Sequence, residues 1–117
     1  MRTGRSSLTS LMVAARRAAH QLMDRPLVFE DPLAIRILPK ELADKLETDP
    51  RYRSRWGKSL RAALAVRSRF AEDELRKAVE RGVRQYVLLG AGLDTFAYRN
   101  PFPDVRVFTA AWHDRDL

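Results

Sequence analysis

The sequence contains no cysteine. This excludes disulfides and thiolate metal sites, and leaves the redox state of its compartment unmarked. Histidine is scarce too: His20 and His113 stand alone without metal-ligand spacing, and no Ser-His-Asp set is found. No apolar run approaches the roughly 20 residues that span a bilayer. The opening MRTGRSSLTSLMVAARRAAHQL lacks the continuous apolar core of a secretory signal, because Arg16, Arg17 and His20 interrupt it. A cytoplasmic protein is therefore expected. An Arg- and Ser-rich amphipathic start also occurs in organelle transit peptides, and stands as the alternative.

What is present is enough for one small domain and not two: 117 residues, 45% of them hydrophobic. The net charge of +7 is concentrated, with Arg51, Arg53, Arg55, Lys58, Arg61, Arg67 and Arg69 close together. Such a cluster is either a solvated helix face or the cationic surface of a basic nucleic-acid-binding helical module. The second reading is carried as the alternative function.

Taken in order, Met1 to Ser7 is polar and expected to fray. Thr9 or Ser10 can cap a first helix whose stripe is Leu8, Leu11, Met12, Ala15, Ala19 and Leu22, with Arg16 and Arg17 on its flanks. Asp24-Arg25-Pro26 ends it, since proline disfavours helical geometry in the residue before it. Phe29 anchors an extended link, and Asp31-Pro32 has the form of an N-cap and first helical position. Leu33, Ile35, Ile37 and Leu38 pack that short helix, and Leu42, Ala43 and Leu46 give one more stripe up to Asp49-Pro50. The spacing then predicts one long helix from about Lys58 to Arg81, with Leu60, Leu64, Ala71, Leu75, Ala78 and Val79 inward and Gly82 at its cap. Arg67 falls on that same stripe. An inward guanidinium needs a partner, either an internal carboxylate or the carboxylate of a bound ligand.

The stretch from Gln85 to Arg99, QYVLLGAGLDTFAYR, organises the rest. Tyr86 to Leu89 is an apolar run closed by Gly90-Ala91-Gly92, the pattern of a central parallel strand whose chain then turns sharply. Ligands of open α/β sheets bind beyond the carboxyl ends of such strands, where glycine lets the backbone come close. Asp94 follows, placed to accept from a ligand ammonium or from a backbone amide. A bare strand and turn without a ligand is the plainer reading of the same pattern. After a two-proline loop, Val105, Val107 and Phe108 form a second short strand. Helix, strand, glycine turn and strand together open a doubly wound α/β domain.

Four stretches in this order resemble class I S-adenosylmethionine-dependent methyltransferases of the leucine carboxyl methyltransferase type and their bacterial relatives. They are S-L-T-S-L-M-V-A-A-R-R-A-A near the start, V-F-E-D-P-L-A at 28–34, A-V-R-S-R-F at 65–70, and R-Q-Y-V-L-L-G-A-G-L-D-T-F-A-Y-R at 84–99. The last is far more specific than a bare G-x-G. The resemblance implies an α/β fold: an N-terminal helical cap over residues 1–57, then from 58 to 117 the start of a Rossmann-like S-adenosylmethionine-binding domain. It also implies roles for matched residues. Gly90, Ala91 and Gly92 line the methionine part of S-adenosyl-L-methionine, and Asp94 completes that turn. Arg67 pairs with the cofactor's carboxylate, and Arg17, in preference to Arg16, closes the pocket from the first helix. Asp31 and Pro32 position the cap. The implied reaction is methyl transfer to a carboxylate or hydroxyl oxygen, for which the sulfonium supplies the activation and the protein the in-line placement.

One departure stands out. Relatives end the second strand with V-F-E-V-D, whose acid holds the ribose, whereas this chain has Val107-Phe108-Thr109-Ala110-Ala111, with Asp114 and Asp116 out of register. The doubly wound sheet is thus expected to be truncated, and the chain inactive by itself. With two strands only, Val87, Leu88 and Leu89 lack neighbours, so self-association is expected. A nicotinamide dinucleotide domain is a third reading. It is disfavoured because Thr95 stands where G-x-G-x-x-G requires glycine.

Overall fold

The computed structural model describes residues 8–110. The expectations placed on Met1 to Ser7, His113, Asp114 and Asp116 lie outside them. Among the described residues, five helices and two strands follow one another: α1 (Leu8–Met23), α2 (Lys40–Lys45), α3 (Pro50–Arg53), α4 (Arg55–Glu80), β1 (Gln85–Leu89), α5 (Phe96–Arg99) and β2 (Arg106–Ala110). The strands pair in parallel, with Val87 opposite Phe108 and Leu89 opposite Ala110.

Small residues decide how the helices meet. The expected stripe of α1 included Leu8, Met12 and Leu22, yet these are exposed, while Ala14, Ala15, Ala18 and Ala19 are buried. The face with the least side-chain bulk brings α1 against α4, where Gly57, Arg61 and Ala65 are buried at successive i+4 positions. A Cβ on Gly57 would fall 2.2 Å from the Arg51 carbonyl oxygen, so only glycine allows α3 to cross there. The alanines of α1 join Ala34, Leu38, Leu46 and Tyr52 in the core, which therefore lies among the N-terminal helices and the links between them.

Helix ends follow local chemistry. Ser54 Oγ accepts from the Gly57 amide and starts α4 three residues earlier than its apolar pattern suggests. At the other end Gly82, at φ +103°, lets its own amide reach the Val79 carbonyl and the Val83 amide reach that of Ala78. The segment 32–37 is a run of turns and not the helix expected after Asp31-Pro32. Asp31 does cap it, with Oδ1 accepting from the Leu33 amide at 3.0 Å. The single turns α3 and α5 are too short to show a periodicity.

Candidate functional site

The chain leaves β1 through two residues in the left-handed region, Gly90 at φ +62° and Gly92 at φ +55°, a conformation that costs any residue with a Cβ. The amides of Gly90 and Ala91 both donate to the Ala110 carbonyl, at 2.6 and 3.3 Å, which ties the turn to the end of β2. At Gly90 a Cβ would stand in open space, whereas at Gly92 it would meet Ser10 Oγ at 2.6 Å. The first turn of α1 therefore rests directly on the second glycine.

Above this turn lies a cavity of about 400 Å3, within the range of small-molecule sites. Arg17, Arg67, Gly90, Ala91, Gly92 and Asp94, all six residues singled out from the sequence, line it. Leu64 and Ala71 of α4, with Tyr86 and Leu88 of β1, supply its apolar wall. A second cavity of about 590 Å3 shares Ala91 to Asp94 and extends to Arg36, Thr95, Tyr98 and Thr109.

The two arginines differ in how they are held. Arg17 Nη2 donates to the Leu93 carbonyl at 2.5 Å, and its Nε lies 3.1 Å from Asp31 Oδ2, close enough for charge attraction but not aligned as a hydrogen bond. Arg67 is exposed at the cavity and has no hydrogen-bond or ion-pair partner among the described residues. Its expected place on the inward stripe is corrected: the inward arginine of α4 is Arg61. Asp94 takes the second of its two expected roles, with Oδ1 accepting from the Phe96 amide at 2.8 Å. Arg16 does not line the cavity; it stacks over the Tyr52 ring at 5.6 Å.

Beneath the turn lies an ionic cluster that residue patterns did not reveal. Asp31 is buried; its Oδ2 accepts from Thr95 Oγ1 at 2.6 Å, and Thr95 Oγ1 in turn accepts from Arg99 Nε at 2.9 Å. Arg99 grips Glu72 of α4 with both terminal nitrogens, at 2.8 and 2.6 Å, and lies over the rings of Phe29 and Phe96. Burial is the largest single influence on Arg99 and opposes its charge, yet the Glu72 hydrogen bonds and the negative charges of Glu72, Asp31 and Asp94 together outweigh it and hold its pKa above the usual arginine value. Burial, aided by the charges of Asp94 and Glu72, pushes the Tyr86 phenol up, so the cavity meets it as a neutral group. The D-T-F-A-Y-R spacing carried the signal for Thr95 and Arg99, four residues apart on one helical turn. Nothing in the sequence pointed to Asp31 or Glu72 as their partners.

The basic run does not form a continuous cationic strip. Arg61 is buried against Asp24, Arg51 pairs with Asp49, Arg69 with Asp73, and Arg53 donates to the Glu47 carbonyl. No cluster of His, Cys, Asp and Glu able to hold a metal occurs among the described residues, and no described helix is long and apolar enough to cross a membrane.

The leucine carboxyl methyltransferase family profile matches residues 10–109. Similar curated proteins include "Putative S-adenosyl-L-methionine-dependent methyltransferase YktD" of Bacillus subtilis, 35% identical over 86% of this chain and 40% of that protein. A protein of the same descriptive name from Frankia alni is 38% identical over 81% of this chain and 34% of its own length. One from Mycobacterium marinum is 39% identical over 81% and 33%. This chain thus spans between a third and two fifths of the length of these relatives.

Proposed function

This chain belongs to the leucine carboxyl methyltransferase family, and from that premise we propose that its cavity holds the amino-acid end of S-adenosyl-L-methionine. The observation that carries the reading is Arg67: a guanidinium with no internal partner among the described residues, facing a cavity floored by a glycine turn. A carboxylate is the group that a free, planar, five-donor cation takes best, through two parallel hydrogen bonds. Arg17, already anchored to Leu93 and Asp31, lends a second positive charge from the side of α1. The open space at Gly90 lets the donor's chain lie against the backbone, and Gly90, Ala91, Gly92 and Asp94 form that wall.

When bound, the cofactor supplies a sulfonium that activates its methyl group toward an oxygen nucleophile, either a carboxylate or a hydroxyl. The residues assigned here bind and orient; none is given a proton-transfer role. Architecturally, residues 1–57 are read as a helical cap and 58–117 as the opening of a Rossmann-like, doubly wound domain. Thr109 and Ala110 offer no acid for the ribose. The chain alone is accordingly read as a cytoplasmic donor-holding unit that does not turn over and that associates through its uncovered sheet.

Calorimetric titration of the chain with S-adenosylmethionine tests the reading. Binding is expected, with Arg67→Ala weakening it on the order of tenfold to a hundredfold, the scale of one lost charged hydrogen bond. Gly90→Val should block it. Unchanged affinity in both variants, or no binding by the unsubstituted chain, overturns the assignment.

A further inference from the structure

Resting on the reading that the cavity takes the donor's acid group, we infer that Asp31 is a positioning residue for that pocket. Its buried carboxylate aims the Arg17 guanidinium. Asp31 is only 1% exposed and does not itself line the cavity. Four groups from three separate stretches of chain converge on it: Arg17 Nε at 3.1 Å, Thr95 Oγ1 at 2.6 Å, the Leu33 amide at 3.0 Å and, farther off, Arg99 Nε at 3.5 Å. The backbone amide of Asp31 is fixed as well, donating to Gln21 Oε1 at 3.0 Å.

A carboxylate so deeply buried is tolerated only with full pairing, and both of its oxygens are engaged. Arg17 is then held between two points, the Asp31 carboxylate and the Leu93 carbonyl, the latter belonging to the glycine turn itself. A long, flexible side chain fixed at two points loses its rotamer freedom before any ligand arrives, and pre-ordering of this kind favours binding. Asp31 also screens Arg17 from Arg99, which shares the same carboxylate. Replacing it with a neutral amide leaves two guanidinium groups competing for one weak acceptor, and Arg17 swings out of the pocket.

The test is a double-mutant cycle read as S-adenosylmethionine affinity by calorimetry. Asp31→Asn should weaken binding about tenfold, as is usual for losing a group that orients a ligand-binding side chain. Arg17→Met should weaken it by a similar factor, and the double variant should be no weaker than Arg17→Met by more than about twofold. Unchanged affinity in Asp31→Asn, or losses that multiply in the double variant, overturn the inference, since a merely structural role has no reason to vanish with Arg17. If Asp31→Asn does not fold, Thr95→Val removes one hydrogen bond to the same carboxylate at nearly constant shape, and the same non-additivity with Arg17→Met is required of it. Arg67→Ala, run alongside, separates the two readings. Full affinity in that variant sinks the pocket assignment, whereas a loss there with normal binding in the Asp31 and Thr95 variants sinks only the role given to Asp31.

Discussion

Asp24 and Arg61, 37 positions apart, are joined by two hydrogen bonds, from Nε to Oδ2 at 2.8 Å and from Nη2 to Oδ1 at 2.9 Å. The third nitrogen of Arg61 donates to the Tyr52 carbonyl, and His20 Nδ1 lies 2.8 Å from the same Asp24 carboxylate. His20 Nε2 accepts from the Phe29 amide, so the proton sits on Nδ1. The pair thus closes the end of α1 onto α4 and α3. The contrast is with Arg67 on the same helix, which has no hydrogen-bond or ion-pair partner among the described residues and for which a ligand role is proposed.

Asp24→Ala leaves the guanidinium of Arg61, only 2% exposed, without its acid. The expected loss is about 3 kcal/mol, the low end for breaking a buried pair because Asp24 itself is partly exposed. The pH dependence has a definite sign. The Arg61 hydrogen bond outweighs burial and holds the Asp24 carboxyl below its ordinary value of 3.8. A depressed carboxylate stabilises fully above its unfolded value and loses that stabilisation as pH falls through its folded one. Urea unfolding should therefore show the gap between wild type and variant intact at pH 7 and shrinking below about pH 4. A gap absent at pH 7 would show that the pair contributes nothing.

The strand, the glycine turn and the long helix were legible because each has a local signature: an apolar run, paired glycines, a 3.6-residue period. The six candidate site residues come together for the same reason, since four of them belong to one continuous turn. Arg67 was misplaced because α4 has leucine or alanine on nearly every side, so its apolar pattern does not single out one face. What chose the face was bulk: Gly57 lets the backbone of α3 cross close by, Ala65 is buried one turn beyond Arg61, and Arg61 is admitted there only because Asp24 neutralises it. Partners such as Asp24 and Arg61, or Asp31 and Thr95, are invisible without knowing which segments meet.

Substitution at the two glycines of the turn should separate strain from contact. Gly90→Ala carries only the left-handed penalty, and a loss of about 1 kcal/mol is expected. Gly92→Ala carries the same penalty and drives a methyl group into Ser10 Oγ, so a loss of roughly 2 kcal/mol or more is expected. Adding Ser10→Ala to Gly92→Ala removes the closest of those contacts and should recover part of the difference. Thermal unfolding of the four proteins provides the measurement. Equal destabilisation by the two glycine substitutions would mean that α1 does not rest on the turn.

The uncovered face of the sheet carries the last prediction. Val87 and Phe108 are register partners and so point to the same side, with Leu89 two residues along; all three are exposed, Leu89 to 81%. The second edge of β1 has no strand beside it among the described residues. Burying side chains of this size is worth about 1.5–3 kcal/mol each, so three together give a strong drive for two copies to meet. Sedimentation velocity should show the chain associating as its concentration rises, and Val87→Thr with Phe108→Thr should shift it toward monomer. Because these positions have little to lose in the monomer, unfolding of the double variant should stay within about 0.5 kcal/mol of wild type. Association that persists unchanged in the double variant would transfer the cause from the apolar face to the open edge of β1, where backbone amides and carbonyls pair without regard to side chain.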